Sequence, residues 1–230
     1  MNQSIAIITA RGGSKRIPKK NIKSFCGKPI IQYSIEAALD SKLFSEVMVS
    51  TDSEEIADIA KKSGAKVPFF RSEETSNDTS TTSDVIKEVL LTYGAMGQDF
   101  DYGCCIYPTA PFVTKQLLIQ AMEELEKQQA NTVLPIVAFS FPPQRAIVIR
   151  NGFAEMQFPE NLNVRSQDLE TIYHDAGQFY MFRVSSFLEE GKLIGKKVFP
   201  IIRNDLQVQD IDHEDDWKIA EMKYRFMYMG

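Results

Sequence analysis

The chain has 230 residues, 43% hydrophobic and 25% charged, a globular balance that excludes a disordered or fibrous polypeptide. Its net charge of −5 disfavours a general nucleic-acid binder, and no apolar run nears the roughly 18 residues needed to span a bilayer, so neither nucleic acid nor membrane is an expected partner. Three cysteines without a CxxC favour neither a disulfide framework nor a zinc site, and the absence of a basic head before residue 5 argues against a signal peptide, so the chain reads as cytoplasmic.

The β-branched run 4–10 (SIAIITA) predicts a buried strand of a parallel sheet. Gly12, Gly13, Pro18, Gly27 and Pro29 make the next stretch a long loop. Pro29 then suits the first turn of a helix to about residue 39, with Ile30, Ile31, Ile35, Ala38 and Leu39 on one face. Residues 46–51 read as a second strand, and Asp52 and Ser53 cap a helix to about Lys62 that Gly64 ends. A third strand is expected over 66–70, a helix over 80–93 and a buried strand over 103–107. Thr114 caps a helix to about residue 128, followed by a strand over 132–138. This alternation predicts an α/β fold with a mostly parallel sheet and right-handed crossovers.

Beyond Phe139 the rhythm changes. Residues 145–150, the Asn151–Gly152 turn and 154–158 read as a hairpin or an excursion from the sheet. Strands return at 178–182 and 197–202, before a last helix over 213–228 whose N-terminal dipole suits Glu214, Asp215 and Asp216. No repeat or linker divides the chain, so the expectation is one domain over 1–230 with a lobe inserted at about 140–175.

The charges are segregated. Seven basic residues and no acidic one lie between Arg11 and Lys28, while six acidic residues and no Lys or Arg lie between Asp205 and Asp216. In open α/β sheets the ligand sits at the carboxyl ends of the strands, and the first strand-to-helix loop is the usual phosphate binder. Here Gly12 and Gly13 permit close backbone approach, while Arg11, Lys15 and Lys20 can neutralise a polyphosphate. The loop matches neither the P-loop nor GxGxxG pattern, and a solvated basic loop is the plainer alternative. Asp210 and Asp212 form an Asp-x-Asp able to hold one hard divalent cation, or they simply extend the acidic start of the last helix.

The string ARGGSKRIPKKN (10–21) resembles the N-terminal signature of the cytidylyltransferases that activate nine-carbon acid sugars, the family of the CMP-sialic acid synthetases. The similarity continues in VSTD (49–52), Arg71 with SNDTSTT (76–82), PTAP (108–111) and VQDID (208–212), in the family's order over most of the chain. It implies a Rossmann-like sheet flanked by helices, of the nucleotide-diphospho-sugar transferase type with a small inserted dimerisation lobe, CTP as donor, Mg²⁺ and a homodimer. By the same resemblance Asp210 and Asp212 are metal ligands, Lys20, Arg11 and Lys15 stabilise the triphosphate, and Asn21 bonds nucleotide groups. The backbone at Ala10 and Arg11 would read the cytosine edge, with Gly12, Gly13 and Ser14 in the same nucleotide loop. Arg71, Ser80, Thr81 and Thr82 match positions near base and ribose, although such a serine and threonine run before a helix is otherwise capping.

The stretch RSQDLETIYHDAGQFYM (165–181) bears on the acceptor. CMP-sialic acid synthetases carry an Arg-Pro-Asn-Gly-like sequence where this chain has Tyr173 to Gly177, and a glutamine before PTSP where it has Tyr107. The pattern TxYHDAGxxYM is similar to the branch that activates pseudaminic acid, a 5,7-diamino nonulosonic acid, with N-acetylneuraminate and legionaminate as alternatives. Arg165 and Gln167 are candidates for the sugar carboxylate, and Tyr173, His174, Asp175 and Tyr107 for other sugar groups. A hydrogen-bonded structural role is the competing reading for His174, and a core role for Tyr107. The implied reaction is attack of the anomeric hydroxyl on the α-phosphorus of CTP, with pyrophosphate leaving; a non-catalytic nucleotide-binding protein is the alternative of a different class.

Overall fold

In the computed structural model the opening apolar run forms β1 (Ser4–Thr9), buried except at its last residue. Residues 3–229 are described; Met1, Asn2 and Gly230, which include the start of the segment read for a leader and both ends of the 1–230 span, lie outside them. The long loop after β1 contains a short hairpin, β2 (Ser24–Phe25) with β3 (Lys28–Pro29), turned through Cys26 at φ 45° and Gly27 at φ 102°. Pro29 then precedes α1 (Ile30–Ser41) as its N-cap residue. β4 (Glu46–Ser50) leads into α2 (Glu54–Lys62), where the Ser53 hydroxyl accepts the Ile56 N–H as expected of a cap. A short turn of helix, α3 (Glu73–Ser76), precedes α4 (Thr82–Ala95), capped reciprocally by Thr81 and Asp84.

β5 (Tyr102–Ile106), α5 (Lys115–Lys127) and β6 (Thr132–Ala138) follow. The hairpin of β7 (Ile147–Arg150) and β8 (Phe153–Met156) forms its own two-stranded sheet away from the main one. β9 (Tyr173–Asp175), β10 (Phe179–Arg183), α6 (Val184–Glu190), β11 (Val198–Arg203) and α7 (Glu214–Tyr228) complete the chain.

Seven strands form one sheet in the order β11, β6, β10, β5, β1, β4, with β9 added against β6. β1 runs parallel to β4 and β5, and β11 parallel to β6, while β10 and β9 run antiparallel to their neighbours. The sheet is therefore mostly parallel, as read from the sequence. Ile31, Ile35, Ala60, Leu118 and Leu125 from α1, α2 and α5 pack on one face, where Cys104 points. Ile86, Val89 and Phe187 from α4 and α6 cover the other, where Cys105 points. The two thiols are thus core packing on opposite faces, as strand alternation requires. α7 docks through Trp217, which meets Phe25 edge-on at 5.5 Å, in a cluster with Tyr33 and Phe112.

One expectation needs correction, and one helix had no counterpart in the sequence reading. Residues 66–70 are not a strand: Lys66 makes a single bridge to Met48, and Pro68 has no N–H to extend a ladder. The helix α6 was not foreseen, because β10 runs straight into it with no side-chain cap at Arg183.

Candidate active site

The loop leaving β1 is pinned at several points. The Ala10 N–H donates to Ser50 O at 2.9 Å, the Gly12 N–H to Asp52 Oδ1 at 2.7 Å, and Asn21 Nδ2 to Arg11 O at 2.9 Å. A Cβ on Gly12 would stand 3.1 Å from Ser53 Cβ, so glycine is what lets the loop lie this close to α2. One sequence reading changes as a result: the Ala10 N–H is consumed by the sheet, so it is not free to read a base edge, whereas the buried Asn21 gives the loop one of its two amide N–H groups and keeps the other and its oxygen.

This loop forms one wall of a cleft of about 540 Å³ at the carboxyl ends of β1 and β5. Of the residues singled out from the sequence, Arg11, Ser14, Lys15, Lys20 and Asn21 line it from this loop. Arg71, Ser80, Thr81 and Thr82 line it from the α3–α4 side, Tyr107 from beyond β5, and Asp210 from the acidic segment. Ala10, Gly12 and Gly13 are not among the residues that line it, Ala10 being buried and the two glycines exposed. The seven basic residues divide between two tasks. Lys19 pairs with Glu55, Lys23 with Glu214 and Lys28 with Glu36, whereas Arg11, Lys15, Arg16 and Lys20 face the cleft.

Sequence reasoning missed Asp78 and Arg16. The Asp78 carboxylate bridges the loop to the opposite wall, accepting from Arg11 Nη1 at 2.7 Å and from Lys15, and these hydrogen bonds hold its carboxyl below the usual range. Arg16 Nη2 stands 2.9 Å from Asp212 Oδ1. Asp78 lay inside the quoted SNDTSTT string and Arg16 inside the basic run, but pairing across 63 residues or more has no local sequence signal. Arg71 is buried; burial pulls its guanidinium down and the charges of Asp52 and Glu88 oppose this. Its Nε donates to Ser50 Oγ at 3.1 Å and its Nη2 to Ser50 O at 2.8 Å, so the side chain is fixed against β4.

Lys20 joins the basic and acidic segments. Its ammonium donates to Ile211 O at 2.6 Å and lies 3.6 Å from Asp212 Oδ1. Burial, and then the charge of Asp212, push the Asp210 carboxyl up. Such a pair of hard oxygen donors is relieved by a divalent cation. Mg²⁺ commonly binds through one or two carboxylates plus substrate phosphates, so the absence of a third His, Cys, Asp or Glu ligand among the described residues does not disqualify the pair. The donor set fits Mg²⁺.

The acceptor candidates behave differently. Arg165 Nε pairs with Asp168 at 2.7 Å on an exposed turn, and Gln167 and Tyr173 are also exposed. The exposed His174 holds its Nδ1 2.9 Å from Asp175 O and packs 4.7 Å from the Phe139 ring, the hydrogen-bonded arrangement weighed as its structural alternative. None of these lines the cleft of the single chain. Asp175 is turned inward, its Oδ1 accepting the Gly177 N–H at 2.8 Å and its Oδ2 the Tyr180 hydroxyl. Tyr107 lines the cleft, and burial pushes its phenol up.

Comparison with known proteins agrees with this geometry. The cytidylyltransferase family model matches residues 5–207. The pseudaminic acid cytidylyltransferase of Campylobacter jejuni is 41% identical over 226 residues, covering 97% of both chains. The CMP-N,N'-diacetyllegionaminic acid synthase of Legionella pneumophila is 32% identical and covers 94% of both. Among solved structures, a CMP:2-keto-3-deoxy-manno-octonic acid synthetase complexed with CTP superposes with a TM-score of 0.69 at 16% identity, over 98% of this chain and 99% of that one, a likeness of fold.

Proposed function

The chain belongs to the cytidylyltransferase family, and from that premise we propose that it transfers the cytidylyl group of CTP to the anomeric hydroxyl of pseudaminic acid, releasing pyrophosphate with Mg²⁺ as cofactor. The observation that carries the reading is the position of Lys20, whose ammonium ties the cationic loop to the Asp210–Asp212 segment beside one cleft. The likeness to the pseudaminic relative, 41% identical with 97% of both chains covered, supports the choice of sugar.

In the reaction the anomeric oxygen forms a bond to the α-phosphorus, the bond from that phosphorus to the β-bridging oxygen breaks, and the hydroxyl proton is lost. Little covalent work falls to the protein, so positioning and charge neutralisation dominate. Arg11, Lys15 and Lys20 face the triphosphate and neutralise charge as pyrophosphate departs. Arg71, Ser80, Thr81 and Thr82 contact base and ribose, with Arg71 held rigid by Ser50. Tyr107 meets the sugar on the opposite wall. Asp210 and Asp212 would hold Mg²⁺, which when bound screens the phosphate oxygens and acidifies a nearby hydroxyl.

The β7–β8 hairpin supports a homodimer, because Ile147, Ile149 and Phe153 are 65%, 80% and 75% exposed in the single chain. In that assembly the lobe at about 140–175 is an arm for the partner, and Arg165, Gln167, Tyr173 and His174 lie on or beside it as acceptor-sugar candidates. Among the described residues no helix is long and apolar enough to cross a membrane, in keeping with work in the cytoplasm. The test is Asp210→Ala and Asp212→Ala. Each should abolish product formation while leaving the thermal unfolding transition in place, and full activity in either would remove the metal assignment.

A further inference from the structure

We propose that Arg16 is a catalytic residue that changes partner, holding the Asp212 carboxylate first and the departing pyrophosphate afterwards. The proposal rests on the cytidylyl transfer argued above and adds to it a side chain that couples the acidic segment to the leaving group.

The main chain beside both members of this pair is fixed. Ile17, next to Arg16, and Ile211, next to Asp212, are buried in one cluster with Phe25 and Trp217. The Asp212 N–H donates to Asp216 Oδ2 at 3.0 Å, and the Lys20 N–H to Ile17 O at 3.2 Å. The Arg16 side chain is left to move, being 58% exposed and meeting Asp212 Oδ1 through Nη2 at 2.9 Å. Lys20 Nζ lies 3.6 Å from that same oxygen. Two cations thus share one carboxylate oxygen.

Arg16 and Lys20 both meet a like charge once Asp212 shares a divalent cation with Asp210, and a guanidinium does not lose its own charge to relieve this. The two cations then part company. Lys20 stays, because its side chain is only 23% exposed and its ammonium donates to Ile211 O at 2.6 Å, an anchor apart from the carboxylate. Arg16 lines the cleft, so its guanidinium turns to the triphosphate proposed there. Its planar fork of N–H donors suits phosphate oxygens in pairs, and the charge on those oxygens grows as the bond to the α-phosphorus breaks. Arg16 is therefore withheld by a free Asp212 and supplied by an occupied one, which ties leaving-group stabilisation to a loaded acidic segment.

Arg16→Met keeps an apolar stem, removes the charge and leaves the core untouched. Mn²⁺ titrated into this variant without nucleotide, with free Mn²⁺ read by electron paramagnetic resonance, should bind roughly two- to fivefold more tightly than in the unsubstituted protein, the worth of one exposed ion pair. Inhibition by pyrophosphate in the presence of Mg²⁺ should weaken roughly tenfold or more, the loss of a hydrogen bond between charged groups. A general loosening of the loop weakens both, so the opposite signs are diagnostic. Arg16→Lys should bring Mn²⁺ affinity back toward the unsubstituted value while recovering only part of the pyrophosphate inhibition, because an ammonium lacks the fork. In an Asp212→Asn background, Arg16→Met should change Mn²⁺ binding by less than about twofold. A gain in Mn²⁺ affinity that persists there, no gain in Arg16→Met itself, or pyrophosphate inhibition within about twofold of the unsubstituted enzyme would each overturn the proposal. Failure of the functional reading looks different: the unsubstituted enzyme then releases no pyrophosphate from CTP with any nonulosonic acid, whereas failure of this proposal leaves that turnover intact.

Discussion

Replacing Lys20 by methionine keeps the length and apolar stem of the side chain and removes its charge and its donor. The ammonium lies 2.6 Å from Ile211 O, and 23% of the side chain meets solvent. A hydrogen bond from a charged group contributes roughly 1.5–3 kcal/mol, and partial exposure lowers this to about 1–2 kcal/mol. For a chain of this size each kcal/mol moves Tm by about 2–4 °C, so a fall of roughly 2–8 °C is expected. Asp212 keeps Arg16 as a partner at 2.9 Å, which limits the loss. The effect on turnover should be far larger. Removing one preorganised charge at the departing phosphate costs about 10²–10³ in kcat, roughly 3–4 kcal/mol of barrier. Calorimetry beside pyrophosphate release at saturating substrates measures both quantities on one preparation. A kcat within about fivefold of wild type would refute the placement of Lys20 at the reacting phosphates. So would a kcat loss fully matched by unfolding at the assay temperature.

A Cβ on Gly103 would stand 2.3 Å from Cζ of the fully buried Phe182, so Gly103→Ala should cost about 1–3 kcal/mol in denaturant unfolding and Phe182→Leu should recover part of it; unchanged stability would contradict the packing of β5 on β10. Burial pushes the Cys105 thiol up to about 12 and the Cys104 thiol well above its ordinary 9.0, so iodoacetamide at pH 8 should modify native protein slowly and at Cys26 alone. Because these folded values lie above the unfolded one, the thiols' contribution to stability is complete below pH 9 and is lost as pH rises toward 12, and rapid labelling of all three at pH 8 would disprove their burial. The proposed homodimer predicts that Ile147→Asp combined with Ile149→Asp, on one face of the β7–β8 hairpin, halves the mass measured by light scattering relative to the unsubstituted chain, and an unchanged mass would contradict a dimer formed through this face.

The sheet was legible because β1, β4, β5, β6 and β10 are apolar runs bounded by turn residues, and their helices repeat apolar positions at helical spacing. Edges and joins were harder to read. Residues 66–70 have strand composition but only one rung of pairing, and the start of α6 carries no capping signal, although Gly191 in the left-handed region at φ 69° marks its end. In the cleft, the cations of the first loop stood out because no acid accompanies them in sequence. Their partners did not, since Asp78 reaches Arg11 across 67 residues. Composition also could not tell that Asp175 faces Tyr180 rather than the cleft, because that depends on β9 and β10 following one another along the same side of β6, opposite β11.

The most direct measurement is pyrophosphate release from CTP and Mg²⁺ with pseudaminic acid and N-acetylneuraminic acid offered separately. Release with pseudaminic acid, and little or none with N-acetylneuraminic acid, is the expected result. Release with N-acetylneuraminic acid alone would keep the chemistry and overturn the acceptor. Silence with both, and with legionaminic acid after them, would contradict the proposed reaction itself.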